Sequence, residues 1–242
     1  MEKTVIVTGA SSGIGYAIAH ELSKNYQVIA TYNNGKEKIE KIKEEIKKKY
    51  DKDIDIFKLD LKNEEDIETF VKEVINKYNH IDCLVNNAGI AIDKPLLEKT
   101  KSEFLEVMDT NLIGPFLLTK LVSKEMIKQG SGKIVNIAST NGIDTLYPES
   151  CDYDASKAGV ISLTHNFAKE LSPIINVNAI APGWIDTPMN SDLDEYFKEE
   201  EKKKIFLNRF GKPEEVAFLV EFLLSDKANY INNEVIRIDG GM

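Results

Sequence analysis

Tyr153 and Lys157, in the stretch YDASK, stand four positions apart, so a helix would set both side chains on one face. A phenol ordinarily keeps its proton until about pH 10. An ammonium one turn away favours the phenolate and would bring the group towards neutral pH. A phenol so tuned can hand a proton to a carbonyl oxygen as hydride reaches the carbon, when charge builds on that oxygen. Ser139, just after the run KIVNIA, could support the same oxyanion through its hydroxyl. Tyr147 is a rival phenol, but no lysine lies four positions beyond it.

A second group of residues suits a phosphate. The first β-branched run leads straight into TGASSGIG (8–15), and a helical pattern follows. Gly9, Gly13 and Gly15 permit a tight turn and close approach of backbone to a pyrophosphate. The helix start offers unpaired N–H groups and a positive dipole end. Strand, glycine loop and helix in that order read as a dinucleotide site. The second strand ends in ATYNNGK (30–36), with no carboxylate to bind the ribose 2′-hydroxyl of NAD. Asn33 and Asn34 could instead donate to a 2′-phosphate, and Lys36 could neutralise part of its charge. That favours NADP, with NAD kept as the alternative.

The elements needed to position these groups alternate along the chain. Strand-like runs occur at 5–8, 27–31, 54–59, 83–87, 133–138, 175–181 and 234–238. Helical stripes lie between most of them: Ile39, Ile42, Ile46 and Tyr50, then Ile67, Val71, Val74, Ile75 and Tyr78 behind Asn63 as N-cap. Pro213 opens the last helix. Such alternation predicts an α/β fold with a parallel sheet covered on both faces and right-handed crossovers. No linker or internal repeat divides residues 1–242, so one domain is expected. The run EEEKKK (199–204) pairs Glu199 with Lys203 and Glu200 with Lys204 at helical spacing, which reads as a solvated face.

Composition narrows the classes further. A chain of 242 residues with 42% apolar content can bury a full core without metals or disulfides. Cys83 falls in an apolar run and is expected to be buried; Cys151 lies in a polar stretch and is expected to be exposed. Neither has metal-ligand spacing, and two such thiols fit a reducing cytoplasm. A net charge of −9 argues against a nucleic-acid partner. No stretch approaches the roughly 18 apolar residues of a membrane span. His20, His80 and His165 are scattered and read as structural or exposed.

TGxxxGIG at 8–15, NNAG at 86–89, Asn111, Ser139, YxxSK at 153–157 and PG at 182–183 occur in order over essentially the whole chain. Together they resemble the short-chain dehydrogenase/reductase family, in its compact single-domain branch, and most of all its bacterial 3-oxoacyl-acyl-carrier-protein reductases. The resemblance implies a doubly wound Rossmann sheet of seven parallel strands in the order 3-2-1-4-5-6-7. It implies an NAD(P)-dependent enzyme that reduces a ketone to a secondary alcohol. Gly9, Ser11, Ser12, Gly13, Ile14 and Gly15 would then hold the cofactor's phosphates, with Asn33 beside the ribose. Asp60 and Leu61 would meet the adenine; Asn87, Ala88 and Gly89 would follow the fourth strand. Pro182, Gly183, Ile185 and Thr187 would flank the nicotinamide, and Lys157 would bond its ribose. Asn111 would hold a water beside Lys157, completing a catalytic set with Ser139 and Tyr153. Residues 187–208 would form a substrate lid with Met189, Leu193, Tyr196 and Phe197 on its apolar face.

Three features depart from that pattern or leave it open. Ser139 and Tyr153 are fourteen apart, one more than the branch leads one to expect, so the loop between them must absorb a residue. Ser12 stands where many NADP-preferring members carry Arg or Lys. An acyl carrier protein is acidic, whereas this chain offers only Lys124, Lys128 and Lys133 near the fifth strand's entry and two arginines in all, Arg209 and Arg237. A small ketone reduced in the same way, or a sugar, polyol or hydroxy acid oxidised with NAD, is the rival to an acyl-thioester substrate. A nucleotide-sugar epimerase would need a longer chain and G-x-x-G-x-x-G; a nucleotide sensor need not keep Ser139, Tyr153 and Lys157. The resemblance also implies a homo-oligomer, dimer or tetramer.

Overall fold

The computed structural model describes residues 2–191 and 193–242. Met1, and Asp192 within the expected lid, lie outside the described residues. Strands β1 (Thr4–Val7), β2 (Gln27–Tyr32), β3 (Asp55–Lys58), β4 (Cys83–Asn86), β5 (Gly132–Ile137), β6 (Ile175–Pro182) and β7 (Val235–Ile238) alternate with helices. The helices are α1 (Gly13–Leu22), α2 (Lys36–Tyr50), α3 (Glu64–Tyr78), α4 (Lys101–Met108), α5 (Gly114–Gln129), α6 (Cys151–Leu171), α7 (Glu195–Lys204) and α8 (Pro213–Leu224). A five-residue π-helical stretch, Asp109–Ile113, joins α4 to α5. The seven strands form one parallel sheet in the order β3-β2-β1-β4-β5-β6-β7, as expected.

The sheet is apolar on both faces because each strand's alternate side chains enter different cores. Val5, Val28, Ala30, Cys83, Val85 and Val135 pack with Ile18 and Leu22 of α1, Ile39 and Ile46 of α2 and Val216 and Val220 of α8. Ile6, Ile29, Leu84 and Ile134 pack with Ile67 and Val74 of α3, Leu118 and Met126 of α5 and Leu171 of α6. This is why the central strands read as unbroken apolar runs. Asn63 caps α3 as expected, accepting from the amides of Glu65 at 2.9 Å and Asp66.

Four strands end one residue earlier than the sequence suggests. Thr8, Asn87, Leu59 and Ala138 fall outside β1, β4, β3 and β5. At the first two the cause is visible: the Thr8 hydroxyl accepts from the amides of Asn87 at 2.9 Å and Ala88 at 3.0 Å. Side-chain bonding there replaces the ladder and turns both chains into the site.

Two surface readings are corrected. The EEEKKK run is not a uniformly solvated face. Its pairs are Glu199–Lys202, Glu200–Lys203 and Glu201–Lys204, each at 2.6 Å and three apart, and Glu201 is only 2% exposed because it turns inward. Lys133 does not join Lys124 and Lys128 in a basic patch. Its ammonium is bonded to the Ser225 carbonyl and burial lowers its pKa; Lys128 is paired with Glu125 at 2.6 Å.

A buried polar ladder fixes the sheet's carboxyl edge to the helices. Asn86 Nδ2 donates to Thr119 Oγ1 at 2.9 Å and Asn136 Oδ1 at 2.8 Å; Asn136 Nδ2 donates to Thr164 Oγ1 at 2.9 Å. The ladder joins β4, α5, β5 and α6, and α6 carries Tyr153 and Lys157. Asn136→Ala is expected to destabilise the fold by about 1–3 kcal/mol, since it strands a buried donor. Urea unfolding with an unchanged m-value would show it; a loss below about 0.5 kcal/mol would mean the ladder carries little.

Candidate active site

The carboxyl edge of the sheet opens on a cavity of about 1050 Å³, centred where strand order reverses between β1 and β4. Nearly every residue expected at the cofactor lines it: Gly9, Ser11, Ser12, Gly13, Ile14, Gly15, Asn33, Asp60, Leu61, Asn87, Ala88, Gly89, Tyr153, Lys157, Pro182, Gly183, Ile185 and Thr187. Ser139 lines it too. Lys36 does not; it is the exposed first residue of α2. Asn34 takes its place beside Asn33.

The glycine loop is locked against β4's exit. Gly9 has φ of 65°, and a Cβ there would lie 2.8 Å from Ala88 Cα. A Cβ on Gly15 would lie 2.2 Å from the Gly9 carbonyl oxygen. Asn87 Nδ2 donates to the carbonyls of Thr8 at 2.9 Å and Gly9 at 3.2 Å, tying the two loops together. The first turn of α1 has no acidic residue, and Ser12 makes no side-chain cap bond. Its free N–H groups and dipole therefore face the cavity, which fits a pyrophosphate. The glycine cradle, the roomy cavity and the uncapped helix together fit a nicotinamide dinucleotide.

At the other side, α6 presents Tyr153 and Lys157. Lys157 is 4% exposed and its Nζ donates to the Ile137 carbonyl at 2.8 Å. The same nitrogen lies 5.4 Å from the centre of the Tyr153 ring. Burial dominates both groups. It pushes the phenol up to about 12, with a Ser139 hydrogen bond pulling the other way and Asp154 and Asp93 adding to the rise. It pushes the ammonium down to about 8. Without cofactor the phenol is thus displaced away from neutral pH, and desolvation is the main cause.

Asn111 lies behind the cavity in the π-helical stretch, 1% exposed. Its Oδ1 accepts from the Ile90 amide at 2.8 Å; its Nδ2 donates to the Ile90 carbonyl at 2.8 Å and Ser156 Oγ at 3.1 Å. A Cβ on Gly89 would lie 3.2 Å from Asn111 Oδ1 and 3.6 Å from Lys157 Nζ, so these three residues converge. Ser139 Oγ donates to Asn141 Oδ1 at 3.2 Å, and Asn141 Nδ2 donates to Asp154 Oδ1 at 2.7 Å. Lys99 and Asp152 form a buried ion pair at 2.8 Å, and the same Asp152 oxygen accepts from the Tyr153 amide at 2.9 Å. Lys99 also bonds the Ile92 carbonyl.

The expected lid contains α7. Met189, Leu193 and Phe197 line the cavity. Tyr196 does not and is 75% exposed, since one residue along a helix turns the side chain about 100° away from Phe197. Cys83 is buried and Cys151 half-buried. None of the three histidines lines the cavity; His20 sits between Tyr16 and Tyr50, His80 beside Asp82, His165 on Asn233. Among the described residues no cluster could hold a metal, and no helix is long and apolar enough to cross a membrane. Sequence reading missed Asn141, Trp184 and Met242 on the wall, where the rival phenol Tyr147 also lies. Trp184 had a signal, adjoining Pro182–Gly183; Met242 had none.

The comparisons agree with this geometry. The family model described as enoyl-(acyl carrier protein) reductase matches residues 9–242. The 3-oxoacyl-acyl-carrier-protein reductase FabG of Aquifex aeolicus is 44% identical over 242 residues, covering 99% of this chain and 97% of its own. The enzyme of the same name from Staphylococcus aureus is 41% identical, covering 100% and 98%. An actinorhodin polyketide ketoreductase variant solved with NADPH superposes with a TM-score of 0.92 and 33% identity, covering 99% of this chain and 96% of its own. Sheet order, glycine cradle and full-length identity converge: the chain belongs to the short-chain dehydrogenase/reductase family of NAD(P)-dependent oxidoreductases.

Proposed function

We propose that this chain is an NADP-preferring 3-oxoacyl-acyl-carrier-protein reductase, converting a 3-oxoacyl thioester to its secondary alcohol. The observation that carries the reading is the meeting of Ser139, Tyr153 and Lys157 in the same cavity that the glycine cradle lines. The names of the curated relatives supply the substrate class.

When bound, the reduced nicotinamide supplies the hydride. Ser139 donates to the substrate oxygen and supports its developing charge. Tyr153 gives that oxygen its proton in reduction and takes it back in oxidation. Lys157 would hold the nicotinamide ribose, and it adds positive potential at the phenol against the burial that pushes the phenol up to about 12. Both polar atoms of the Asn111 side chain are taken up by Ile90 and Ser156. It therefore acts as a positioning residue, fixing the Ile90 carbonyl, whose second lone pair can hold a water on the proton's route.

Asn33 and Asn34, with no carboxylate beside them, support NADP. The free thiols Cys83 and Cys151 support a cytoplasmic setting. Exposed Leu105, Ile113, Phe116 and Ile127 on the α4–α5 side, with Phe218 and Phe222 on α8, support a homo-oligomer, dimer or tetramer. The weak basic surface leaves the carrier protein itself the least supported partner.

Fluorescence titration should give NADPH a Kd at least about tenfold below that of NADH, or about 1.4 kcal/mol. Tighter NADH binding would overturn the Asn33 reading and favour an NAD-dependent dehydrogenase of a sugar, polyol or hydroxy acid. Tyr153→Phe should cut ketone turnover by about 10²-fold or more while keeping NADPH binding. Lys157→Ala should lose both, and wild-type rates and binding in that variant at pH 7 would sink the mechanism.

Burial of the Lys157 charge also predicts a stability effect. With a folded pKa of about 8 against an ordinary value near 10.5, the native state holds fewer protons than the unfolded one between those values. Stability from this group therefore rises as pH climbs through that window. Lys157→Met should raise cofactor-free stability at pH 7 by up to about 3 kcal/mol, and the gain should shrink towards pH 10. Thermal unfolding at both pH values checks it; a destabilised variant at pH 7 would show that the ammonium is better satisfied than its single protein bond suggests.

A further inference from the structure

Glu201 is the one inward-facing carboxylate of the lid helix α7, and the ketone-reductase mechanism makes no use of it. It is 2% exposed, yet it does not line the cavity. It stands behind two side chains that do. Tyr147 Oη donates to Glu201 Oε2 at 2.7 Å, and Trp184 Nε1 donates to the same oxygen at 3.1 Å and to Tyr147 Oη at 3.1 Å. Lys204 holds the other oxygen at 2.6 Å. These bonds outweigh burial and keep the carboxyl below its ordinary pKa, so it is an ionised, acceptor-only group facing donors.

Three separate segments meet at this carboxylate. Tyr147 belongs to the loop between Ser139 and Tyr153, Trp184 follows β6, and Glu201 belongs to the lid. The Trp184 ring is further boxed by Tyr147 at 5.5 Å, Phe197 at 5.7 Å and, stacked on it, Phe210 at 5.6 Å. Aromatic packing would bring these rings together without a charge. A buried carboxylate adds direction, because it accepts both N–H and O–H at fixed angles and loses both if the helix lifts.

We infer that Glu201 is a positioning residue for substrate binding: it latches α7 onto Tyr147 and Trp184 and so sets the wall against which the substrate lies. The inference rests on the ketone-reductase reading for its kinetic part only. A latch that shapes the wall acts on substrate affinity more than on the chemical step.

Trp184 is the only tryptophan of the chain, so its emission reports the latch without any substrate. In the full-length protein, Glu201→Ala should shift Trp184 emission to the red and raise acrylamide quenching about twofold. With NADPH and acetoacetyl-coenzyme A it should raise KM about tenfold while kcat changes far less. Glu201→Gln, which keeps one acceptor oxygen, should recover most of both effects. Tyr147→Phe, which removes a single donor, gives the same readouts in milder form should Glu201→Ala fail to fold. Unchanged emission and KM in Glu201→Ala, or in Tyr147→Phe where that stands in, would overturn the latch, as would a loss of kcat at constant KM. If the wild type turned over no ketone, the ketone reading would fail, and the latch would be decided by quenching alone.

Discussion

Lys157 carries an ammonium into the protein interior with one protein acceptor, the Ile137 carbonyl. Everything else in the site is arranged around tolerating that charge. Gly89 leaves room beside it, since a Cβ there would stand 3.6 Å from Nζ. Asn111, which would otherwise compete as a polar neighbour, is tied to Ile90 and Ser156. The π-helical stretch at Asp109–Ile113 is the local irregularity that turns Asn111 inward. Among the described residues, the ammonium's other N–H donors find no protein acceptor. Burial alone thus holds the phenol high and the ammonium low.

The scaffold fixes this geometry by joining elements at the sheet's carboxyl edge. Thr8 and Asn87 stitch the β1 loop to the β4 loop. The Asn86–Asn136–Thr164 ladder fixes α6 to β4 and β5. The Lys99–Asp152 pair pins the segment after β4 to the first turn of α6, and Asp152 holds the Tyr153 amide directly. A buried ion pair is poor evidence of net stability, because desolvation offsets much of its attraction. Its value here is directional. It fixes where α6 begins, and therefore where the phenol points relative to Ser139.

Sequence made the scaffold plain because its signals are local and periodic. Strand runs, the Asn63 cap and the glycine loop each depend on neighbours in the chain, and six short motifs in order marked many of the residues that line the cavity. What stayed hidden depends on tertiary direction. EEEKKK has the composition of a solvated face, and nothing in it marks Glu201 as the residue that turns inward to meet Tyr147 and Trp184. Tyr196 and Phe197 look alike as lid aromatics, and only the phase of α7 separates them. Lys133 reads as a surface cation but reaches the Ser225 carbonyl across the fold. The phenol's burial stays hidden for the same reason: spacing shows that a lysine is near, but not how much water both groups have lost.

Where this chain buries charge is itself informative. Among the described residues, the buried charged side chains are Asp152, Lys157 and Glu201, joined by the Lys99 ammonium at 3% exposure. Lys157 lines the cavity, Asp152 adjoins Tyr153, and Glu201 stands behind the wall. A buried ion destabilises a fold unless geometry satisfies it, so a chain free to fill those positions with apolar groups would gain stability. Their concentration around one cavity therefore marks where position and potential matter more than folding energy. That is the pattern expected of a site that must stabilise a changing charge, and it separates an enzyme from a protein that merely binds a nucleotide.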